Sequence, residues 1–365
     1  MTEYYNSQQD EENKFSFIDL FAGIGGFRIA FESAGGTCVF SSEFDRFAQI
    51  TYETFFGDRP DFADIFLTDP PGDITKFPPE LVPDHDILTG GFPCQPFSLA
   101  GVSKKQSLGK PHGFDDPTQG TLFFNIKRIL EVKRPKAFLL ENVKNLRSHD
   151  KGKTYRVIME TLEEVGYNTF DRIIDAAGWV PQHRERLFII GFRKPDGNQL
   201  WNVNDFPEFM ELLPPEKRIL ALEDLLEDQV PERYTLGQNT WATLERHKKH
   251  HKSIGQGFGY SMIIPPYNGK VTRTLSARYH KDGAEILIKQ NGKRPRRLTP
   301  LECCRLMGYP EKYQRYFERS NEIQQPVSDT QAYRQFGNSV AVPVVMAIAD
   351  LILRKLVEVD SKNFQ

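Results

Sequence analysis

Residues 15–26 read FSFIDLFAGIGG, and this stretch decides the fold. Phe15 to Phe21 has the length and apolarity of a buried strand, and the glycines after it lead into a helical apolar pattern from Phe27 to Phe31. A second apolar segment, Cys38 to Ser42, predicts a strand that ends at Glu43. This order of strand, glycine turn, helix, strand and acid is typical of a site for a dinucleotide or a nucleoside. The glycines let the backbone approach the ligand, and the acid can hold ribose hydroxyls.

Alternating strands and helices continue to about residue 191. We expect strands at 86–88, 136–140 and 186–191, and helices at 121–132 and 154–165. Such alternation predicts an α/β fold with a parallel, helix-covered sheet. Beyond Gly191, prolines and glycines indicate a linker, and short strands punctuated by glycines should follow it. An apolar helix at 344–357 should return to the main body.

The division into domains follows from these changes in pattern. Residues 1–13 are polar and acidic and predict a disordered tail. Residues 14–195 together with 330–365 should form one large domain, and residues 196–329 a smaller, mainly β or irregular one.

Charge is distributed unevenly along the chain. The net charge of the 365 residues is −2, but the segment from Arg233 to Arg297 contains 14 Lys or Arg and only three acids, a net charge of +11. A basic segment on an acidic body is typical of a protein with an anionic partner. The adjacent His250 and His251 lie in a lysine-rich run and predict a basic surface rather than a metal site.

The four cysteines indicate a reducing environment. Cys38, Cys94, Cys303 and Cys304 lack the spacing of a zinc site, and adjacent cysteines are poor disulfide partners. We therefore expect no metal, a cytoplasmic location and, since the first residues lack a signal pattern and no apolar stretch is long enough to span a bilayer, no contact with a membrane.

Cys94 lies in the segment 90–98, which reads GGFPCQPFS. Most free cysteines are small buried hydrophobes, but a rigid, exposed thiol beyond a strand end can act as a nucleophile. Glu141 ends another predicted strand, and Arg184 and Arg186 enter a third. A thiol, a carboxyl and a guanidinium at one sheet edge suit attack on an electron-poor ring, in which the carboxyl protonates a ring nitrogen and the arginine steadies a carbonyl oxygen.

These segments resemble the motifs of the C5-cytosine DNA methyltransferase family, and the resemblance covers nearly the whole chain. It is carried, in the order typical of the family, by residues 19–27, 90–98, 141–143, 182–186, 297–302 and 335–340. Residues 257–260 and 279–286 are similar to the bacterial, Dcm-like branch that acts on CCWGG, CCNGG or CCGG. The resemblance implies a Rossmann-like sheet that binds S-adenosylmethionine, and makes 196–329 the target-recognition domain.

The resemblance also implies roles for individual residues. Cys94 would attack C6 of a flipped-out cytosine, Glu141 would protonate or hydrogen-bond N3, and Arg184 would hold O2, with Arg186 as the second arginine of the same motif. The implied cofactor residues are Phe21, Gly23, Gly25, Glu43, Phe44, Asp73, Ile74, Leu122, Asn338 and Val340. The implied DNA contacts are Gln95, Arg273, Thr274, Leu275 and Arg278. Residues 101–117 would form a mobile lid.

The partner implied by this chemistry is double-stranded DNA, bound by a monomer, with a restriction endonuclease for the same site as a functional companion that forms no stable complex. A tRNA cytosine-5 methyltransferase shares the same fold and chemistry, but its variable region is generally smaller and less basic. A reader domain without activity would not need Cys94, Glu141 and Arg184. A nicotinamide oxidoreductase would explain the glycine turn but not the other motifs.

Overall fold

The structure is a computed structural model that describes residues 15–93, 122–194, 209, 211–215, 217–319 and 323–363. The predicted N-terminal tail, the predicted lid, Cys94 and Gln95 therefore lie outside the described residues.

A six-stranded sheet forms the centre of the molecule, in the order β2-β1-β3-β4-β6-β5. The strands are β1 (Ser16–Leu20), β2 (Thr37–Ser42), β3 (Ile87–Gly91), β4 (Ala137–Val143), β5 (Tyr167–Asp175) and β6 (Glu185–Arg193). Strands β2, β1, β3 and β4 run parallel, whereas β6 is antiparallel to both β4 and β5.

The prediction of a wholly parallel sheet is wrong at this end, because the sequence reading missed β5. This strand lies at the edge of the sheet and buries only Tyr167, Phe170 and Ile174. Its remaining side chains are half-buried and mostly polar, so it lacks the continuous apolar run by which central strands are recognised. Since β5 precedes β6 without an intervening long helix, the two strands pair antiparallel.

Ten α-helices surround the sheet and extend the chain beyond it in the described part of the molecule. They are α1 (Gly26–Ser33), α2 (Arg46–Phe56), α3 (Leu122–Lys133), α4 (Lys153–Glu164), α5 (Leu222–Leu225), α6 (Gln238–Ser253), α7 (Pro300–Leu306), α8 (Glu311–Gln314), α9 (Asp329–Asn338) and α10 (Val342–Asn363). The final helix matches the predicted one and packs on α1, so the chain does return to the main body.

Two apolar layers bury the sheet on both faces. On one face, α1 and α10 cover the sheet with a cluster that includes Phe31 and Ile348. On the other face, α3 and α4 supply Ile126 and Ile158. The alternation within β1 shows the arrangement, since Phe17 belongs to the first layer and Ile18 to the second. Burial on both faces explains why the central strands read as apolar runs.

The segment from residue 217 to residue 319 is largely irregular, as predicted, but its longest element is a helix. Two two-residue strands, β7 (Met262–Ile263) and β8 (Leu287–Ile288), pair with each other. The 16-residue α6 stands where short strands were expected. Its sequence has neither glycine nor proline and contains three Lys and one each of the helix-forming Arg, Leu, Ala and Glu, and the chain leaves the helix just before Gly255. The core of this segment also includes Ile24 and Ile29, so it is continuous with the glycine turn.

Over the described ranges, no helix has both the length and the apolarity needed to cross a membrane. Within the same ranges, no three His, Cys, Asp or Glu side chains come together in a way that could hold a metal ion.

Candidate active site

A cavity of about 720 Å³ opens at the edge of the sheet where the parallel strands end. The residues that follow β1 and β2, and those at the ends of β3 and β4, form its wall, so four adjacent strands contribute to one site. Ligands of open α/β sheets bind at this edge, beyond the carboxyl ends of the strands. All the predicted cofactor residues except Gly25 line this cavity.

The glycine turn between β1 and α1 forms one side of the cavity. Phe21, Gly23 and Gly25 all have positive φ. Gly25 precedes α1 in the left-handed region, and a Cβ at this position would lie 2.3 Å from the ring of Phe56. Gly25 therefore shapes the turn without lining the cavity. No side chain caps the N-terminus of α1, and Gly26 lines the cavity there, so backbone N–H groups are available to an anionic group of a ligand.

Glu43, at the end of β2, holds the glycine turn in place. Its Oε2 accepts a hydrogen bond from the Gly23 N–H at 2.7 Å, and its Oε1 accepts one from the Asp45 N–H at 2.6 Å. Burial raises the pKa of Glu43, while the same backbone donors oppose that shift. The adjacent Phe44 is 63% exposed and lines the cavity, so its ring is free to stack on a planar group.

Asp73 and Ile74 lie next to Glu43 because the backbone at Gly72 makes a close approach. Gly72 has a φ of 81°, and a Cβ there would lie 2.0 Å from the carbonyl oxygen of Glu43. The side chain of Gln49 joins the same two segments, donating to the carbonyl oxygens of Glu43 at 2.7 Å and Pro71 at 3.1 Å. Asp73 and Ile74, two of the predicted cofactor residues, are therefore on the cavity wall.

Helix α9 and the residues after it form the opposite wall. The Gln335 amide donates to the carbonyl oxygen of Phe47 at 2.8 Å and accepts from the Thr51 hydroxyl at 3.0 Å, which joins α9 to α2. Asn338 and Val340 follow on the wall. The sequence reading did not single out Gln335, although it lies in the last of the family-like segments.

Glu141 and Arg186 form a nearly buried ion pair on the wall of the cavity. The Nε of Arg186 lies 2.9 Å from Oε1 of Glu141, and the two side chains are 16% and 11% exposed. Burial raises the pKa of Glu141, an effect that the charges of Arg186 and Arg184 oppose. A carboxyl with a raised pKa keeps its proton to higher pH and so is a better candidate for a general acid.

The backbone that leads to Cys94 is fixed next to this pair. Asn142 donates from Nδ2 to the carbonyl oxygen of Phe92 at 2.8 Å, and both Phe92 and Pro93 line the cavity. Cys94 is the next residue in the chain, although it lies outside the described residues.

The structure does not bring Arg184 to the cavity. Its side chain is buried, and its guanidinium donates to the backbone carbonyls of Leu275 at 2.8 Å, Gly337 at 3.0 Å and Ser339. Burial lowers the pKa of Arg184 to about 9. The arginine that pairs with Glu141 on the cavity wall is Arg186. The predicted contact with O2 of the base therefore does not fit Arg184.

The predicted DNA contacts fall into two groups. Arg273 and Arg278 are exposed, and Arg273 donates to the carbonyl oxygen of Gly259 at 2.8 Å. Thr274 is half-buried, and its hydroxyl donates to the carbonyl oxygen of His183 at 2.6 Å. Leu275 is fully buried, so its side chain cannot reach a base edge.

The chain matches one family model and is similar to several named proteins. Residues 15–354 match the family model described as C-5 cytosine-specific DNA methylase. The chain is similar to the DNA-cytosine methyltransferase of Escherichia coli strain K12, with 47% identity over 94% of this chain and 78% of that protein. It is also similar to the type II methyltransferase M1.ScrFI of Lactococcus lactis subsp. cremoris, with 47% identity over 94% of this chain and 79% of that one. The type II methyltransferase M.HpaII of Haemophilus parainfluenzae is 42% identical over 96% of this chain and 92% of its own length.

The solved structures show the same fold. The Dnmt2 methyltransferase of S. pombe superposes with a TM-score of 0.66 at 19% identity, over 94% of this chain and 99% of that one.

Proposed function

The chain belongs to the C-5 cytosine-specific DNA methylase family, and we propose a role in its reaction for each of the side chains around the cavity. The chain is a DNA (cytosine-5-)-methyltransferase. The observation that supports the assignment of roles best is the Glu141–Arg186 ion pair, which lies beside the backbone that leads into Cys94.

We propose S-adenosylmethionine as the cofactor and the cavity as its site. The cavity volume of about 720 Å³ lies within the range of small-molecule pockets. The uncapped N-terminus of α1 suits the carboxylate of the methionine part, the ring of Phe44 suits the adenine, and Glu43 suits the ribose hydroxyls. When bound, the cofactor supplies an electrophilic methyl group. Asp73 and Ile74 would complete the adenine site, and Phe21, Gly23, Leu122, Asn338 and Val340 the rest of the wall.

The protein side chains prepare cytosine for methylation. Cys94, as a thiolate, adds to C6 of the flipped-out base, while Glu141 donates its proton to N3. Burial raises the pKa of Glu141 and so supports the role of proton donor. The electron pair displaced from the C5–C6 double bond makes C5 nucleophilic towards the methyl group that the cofactor would supply, and the bond from that methyl group to the sulfonium sulfur would break to leave S-adenosylhomocysteine. Loss of the C5 proton to water, return of the N3 proton to the Glu141 carboxylate and departure of the Cys94 thiolate then restore the ring as 5-methylcytosine.

We assign the contact with O2 to Arg186 rather than to Arg184. Arg186 is the guanidinium on the cavity wall, and its ion pair with Glu141 would place it beside the edge of the base that carries N3 and O2. Arg184 is fully buried, with its terminal nitrogens on backbone carbonyls. In this assignment Arg184 acts on the fold around the site and does not touch the base.

Double-stranded DNA is the proposed substrate form, bound by the basic target-recognition segment. The exposed side chains of Arg273 and Arg278 are the candidate contacts there, with Thr274 between them holding the backbone. We propose that the protein acts as a monomer at the bacterial nucleoid, on CCWGG, CCNGG or CCGG, and that a restriction endonuclease for the same site accompanies it without a stable complex. Several relatives are named type II methyltransferases, which supports such a companion.

The experiment that tests this function is single-base methylation sequencing of DNA from a host without cytosine methylation that expresses the chain. We expect fully methylated cytosines within one short motif, and none with Cys94→Ala. Sequencing of the tRNA from the same cells tests the alternative substrate. Methylated tRNA with unmethylated DNA would contradict the proposed substrate form, and methylation by Cys94→Ala would contradict the mechanism.

A further inference from the structure

The buried guanidinium of Arg184 joins two parts of the molecule that bind different ligands in the proposed function. Its Nη1 donates to the carbonyl oxygen of Leu275, which belongs to the predicted DNA-contacting segment. Its Nη2 donates to the carbonyl oxygens of Gly337 and Ser339, which line the cavity. Arg184 is only 1% exposed, so these carbonyls replace part of the water that its charge loses on burial, while its Nε has no hydrogen-bond partner among the described residues. A movement of the Leu275 carbonyl therefore also affects the carbonyls of Gly337 and Ser339, because the same guanidinium holds all three.

The two parts also touch directly. A Cβ at Gly337 would lie 2.3 Å from the nitrogen of Ala277 and from the carbonyl carbon of Ser276. The end of α9 therefore packs against the bare backbone of residues 276–277, with no room for a side chain between them. Backbone in such close contact transmits displacement rather than absorbing it.

The residues next to Arg184 hold the DNA-contacting segment from the other side. Gln182 accepts a hydrogen bond from the Leu275 N–H at 2.8 Å, and the His183 carbonyl oxygen accepts one from the Thr274 hydroxyl at 2.6 Å. Three consecutive residues, 182–184, thus fix the backbone of 274–275. The exposed Arg273 and Arg278 flank this fixed backbone.

On the cavity side, hydrogen bonds also join α9 to α2. Gln335 bonds to the backbone of Phe47 and to the side chain of Thr51, so α9 follows α2. A cofactor between α2 and α9 would contact both walls, and the end of α9 carries the carbonyls that Arg184 holds.

We propose that Arg184 is a positioning residue that couples the binding of the cofactor in the cavity to the binding of DNA by residues 273–278. This inference rests on the proposed function, which assigns those two ligands to those two places. Such coupling is reciprocal, so each ligand raises the affinity of the other by the same factor.

The test is the coupling factor, which is the ratio of the dissociation constants for duplex DNA without and with saturating S-adenosylhomocysteine. Fluorescence anisotropy with a duplex that carries the methylated motif measures it. We expect a factor of at least about fivefold for the unsubstituted protein, at the lower end of typical allosteric coupling, and about twofold or less for Arg184→Lys. A lysine keeps the charge but lacks the planar fork that reaches several carbonyls at once.

Arg193→Lys is the matched control. Arg193 lies at the opposite end of β6, and its Nη1 also donates to a backbone carbonyl, that of Arg134, at 2.6 Å. We expect this variant to keep the coupling factor of the unsubstituted protein. A general loss of stability would weaken both ligands alike and would leave the ratio unchanged, so the ratio separates coupling from mere support of the fold.

Three outcomes would overturn the inference. A folded Arg184→Lys variant with unchanged coupling would overturn it, as would an unsubstituted protein whose affinity for DNA does not respond to S-adenosylhomocysteine. An unsubstituted protein that binds neither ligand would overturn the proposed function and this inference with it.

If circular dichroism shows that Arg184→Lys does not fold, Thr274→Val tests the same connection, between residues 182–184 and residues 274–275, at its neighbouring hydrogen bond. Thr274 is only half-buried, and the substitution removes its hydrogen bond to His183 while leaving Arg184 in place. We expect coupling to fall by about two- to threefold, the equivalent of one modest hydrogen bond. Unchanged coupling in this variant would contradict the proposal.

Discussion

The protonation state of Glu141 sets the pH dependence that we expect of catalysis. Cys94 must lose a proton to attack, and Glu141 must keep one to donate. Burial raises the pKa of Glu141, so its protonated, donating form is fully present at low pH and is lost as the pH rises through that raised value, whereas the Cys94 thiolate is lost as the pH falls. The rate of a single turnover should therefore follow a bell, with an acidic limb from the thiol and an alkaline limb from Glu141.

Glu141→Gln tests this assignment. The amide has nearly the same shape but no proton to give, so we expect the single-turnover rate to fall about 10²- to 10⁴-fold, the usual contribution of a general acid. The remaining activity should have no alkaline limb. Single-turnover methylation between pH 5.5 and 9.5 measures both effects. A variant that keeps the alkaline limb would show that another group produces it.

Asp19 gives a second pH dependence, this time of stability. It is fully buried below the glycine turn, and one of its carboxylate oxygens has no hydrogen-bond partner. Burial raises its pKa from 3.8 to about 8, mainly through loss of hydration. Because the unfolded chain binds this proton more weakly than the folded one, the contribution of Asp19 to the free energy of unfolding falls as the pH rises from about 4 to about 8.

We expect Asp19→Asn to remove that loss. Relative to the unsubstituted protein, the variant should gain at least about 1 kcal/mol between pH 5 and pH 8, since each unit of pKa shift corresponds to about 1.4 kcal/mol. Urea unfolding at the two pH values measures the change. Asp64→Asn, at an exposed position, should show no such change. A constant difference between Asp19→Asn and the unsubstituted protein would mean that Asp19 is already ionised at pH 5.

At the residue level, the sequence predicted chemical types better than positions. Glu141 could be predicted as a site residue because it ends an apolar strand whose neighbours also end in polar groups. The choice between Arg184 and Arg186 could not be made in this way. It depends on the carbonyls of Leu275, Gly337 and Ser339, which come from segments about 90 and more residues away along the chain. Local patterning does not contain that information.

Among the secondary-structure elements, the end of α9 has the least tolerance for change. Gly337 faces the backbone of residues 276–277, and an added methyl group would meet main-chain atoms that no side-chain rotation can move aside. We expect Gly337→Ala to lower the free energy of unfolding by about 1–3 kcal/mol, as overpacking of a dense interior does. It should also weaken the binding of S-adenosylhomocysteine, because Gly337 lines the cavity.

Gly257→Ala is the control for this substitution. Gly257 has open space where the methyl group of alanine would lie, and its φ is ordinary, so alanine should be tolerated there. Chemical denaturation of both variants, together with titration of S-adenosylhomocysteine, distinguishes a local clash from a general effect of losing glycine. Equal stability of the two variants would contradict the tight packing described for α9.

The central strands, which the sequence predicted, share burial on both faces. Strands β1, β3 and β4 have strong apolar patterns because an apolar layer covers each face of the sheet. The elements that it missed are one-sided. The edge strand β5 is half polar, and α6 buries only Leu244 among its sixteen residues. For such elements the apolar pattern is weak. In α6, only the helix propensity of the residues could have indicated a helix in a segment that was predicted to contain short strands.

For the molecule as a whole, the sequence indicated where the cavity lies but not where one part of the molecule ends and the next begins. The cavity lies at the strand ends of the six-stranded sheet, as the pattern of strand, glycine turn and acid indicated. The division at residues 195 and 329 stays a prediction. Ile24 and Ile29, from the glycine turn and α1, pack in the same core as α7 and α9, and no pattern in either stretch predicts that shared core.

The uneven distribution of charge predicts how the affinity for DNA depends on salt concentration. Helix α6 carries four exposed Lys or Arg side chains. Lys248 donates to the carbonyl oxygen of Tyr260, and the other three, Arg246, Lys249 and Lys252, form no ion pair in the described part of the chain. Each phosphate that a cation neutralises releases condensed counterions, so the logarithm of the binding constant falls with the logarithm of salt concentration at about 0.9 per contact for duplex DNA. Replacing all three by glutamine should therefore make that slope shallower by about 2.7.

The control is a second triple variant, which loses the same number of positive charges from helices that cover the sheet. Arg128, Arg156 and Arg354 lie on α3, α4 and α10, far along the chain from the basic segment, and their replacement by glutamine should leave the slope unchanged. Anisotropy titrations of duplex DNA between about 50 and 200 mM salt measure both slopes, over the range in which such contacts dominate affinity. An equal change in the two triple variants would mean that the DNA responds to net charge alone. A change confined to α6 would make this helix part of the DNA-binding surface, because only cations in contact with phosphate displace counterions.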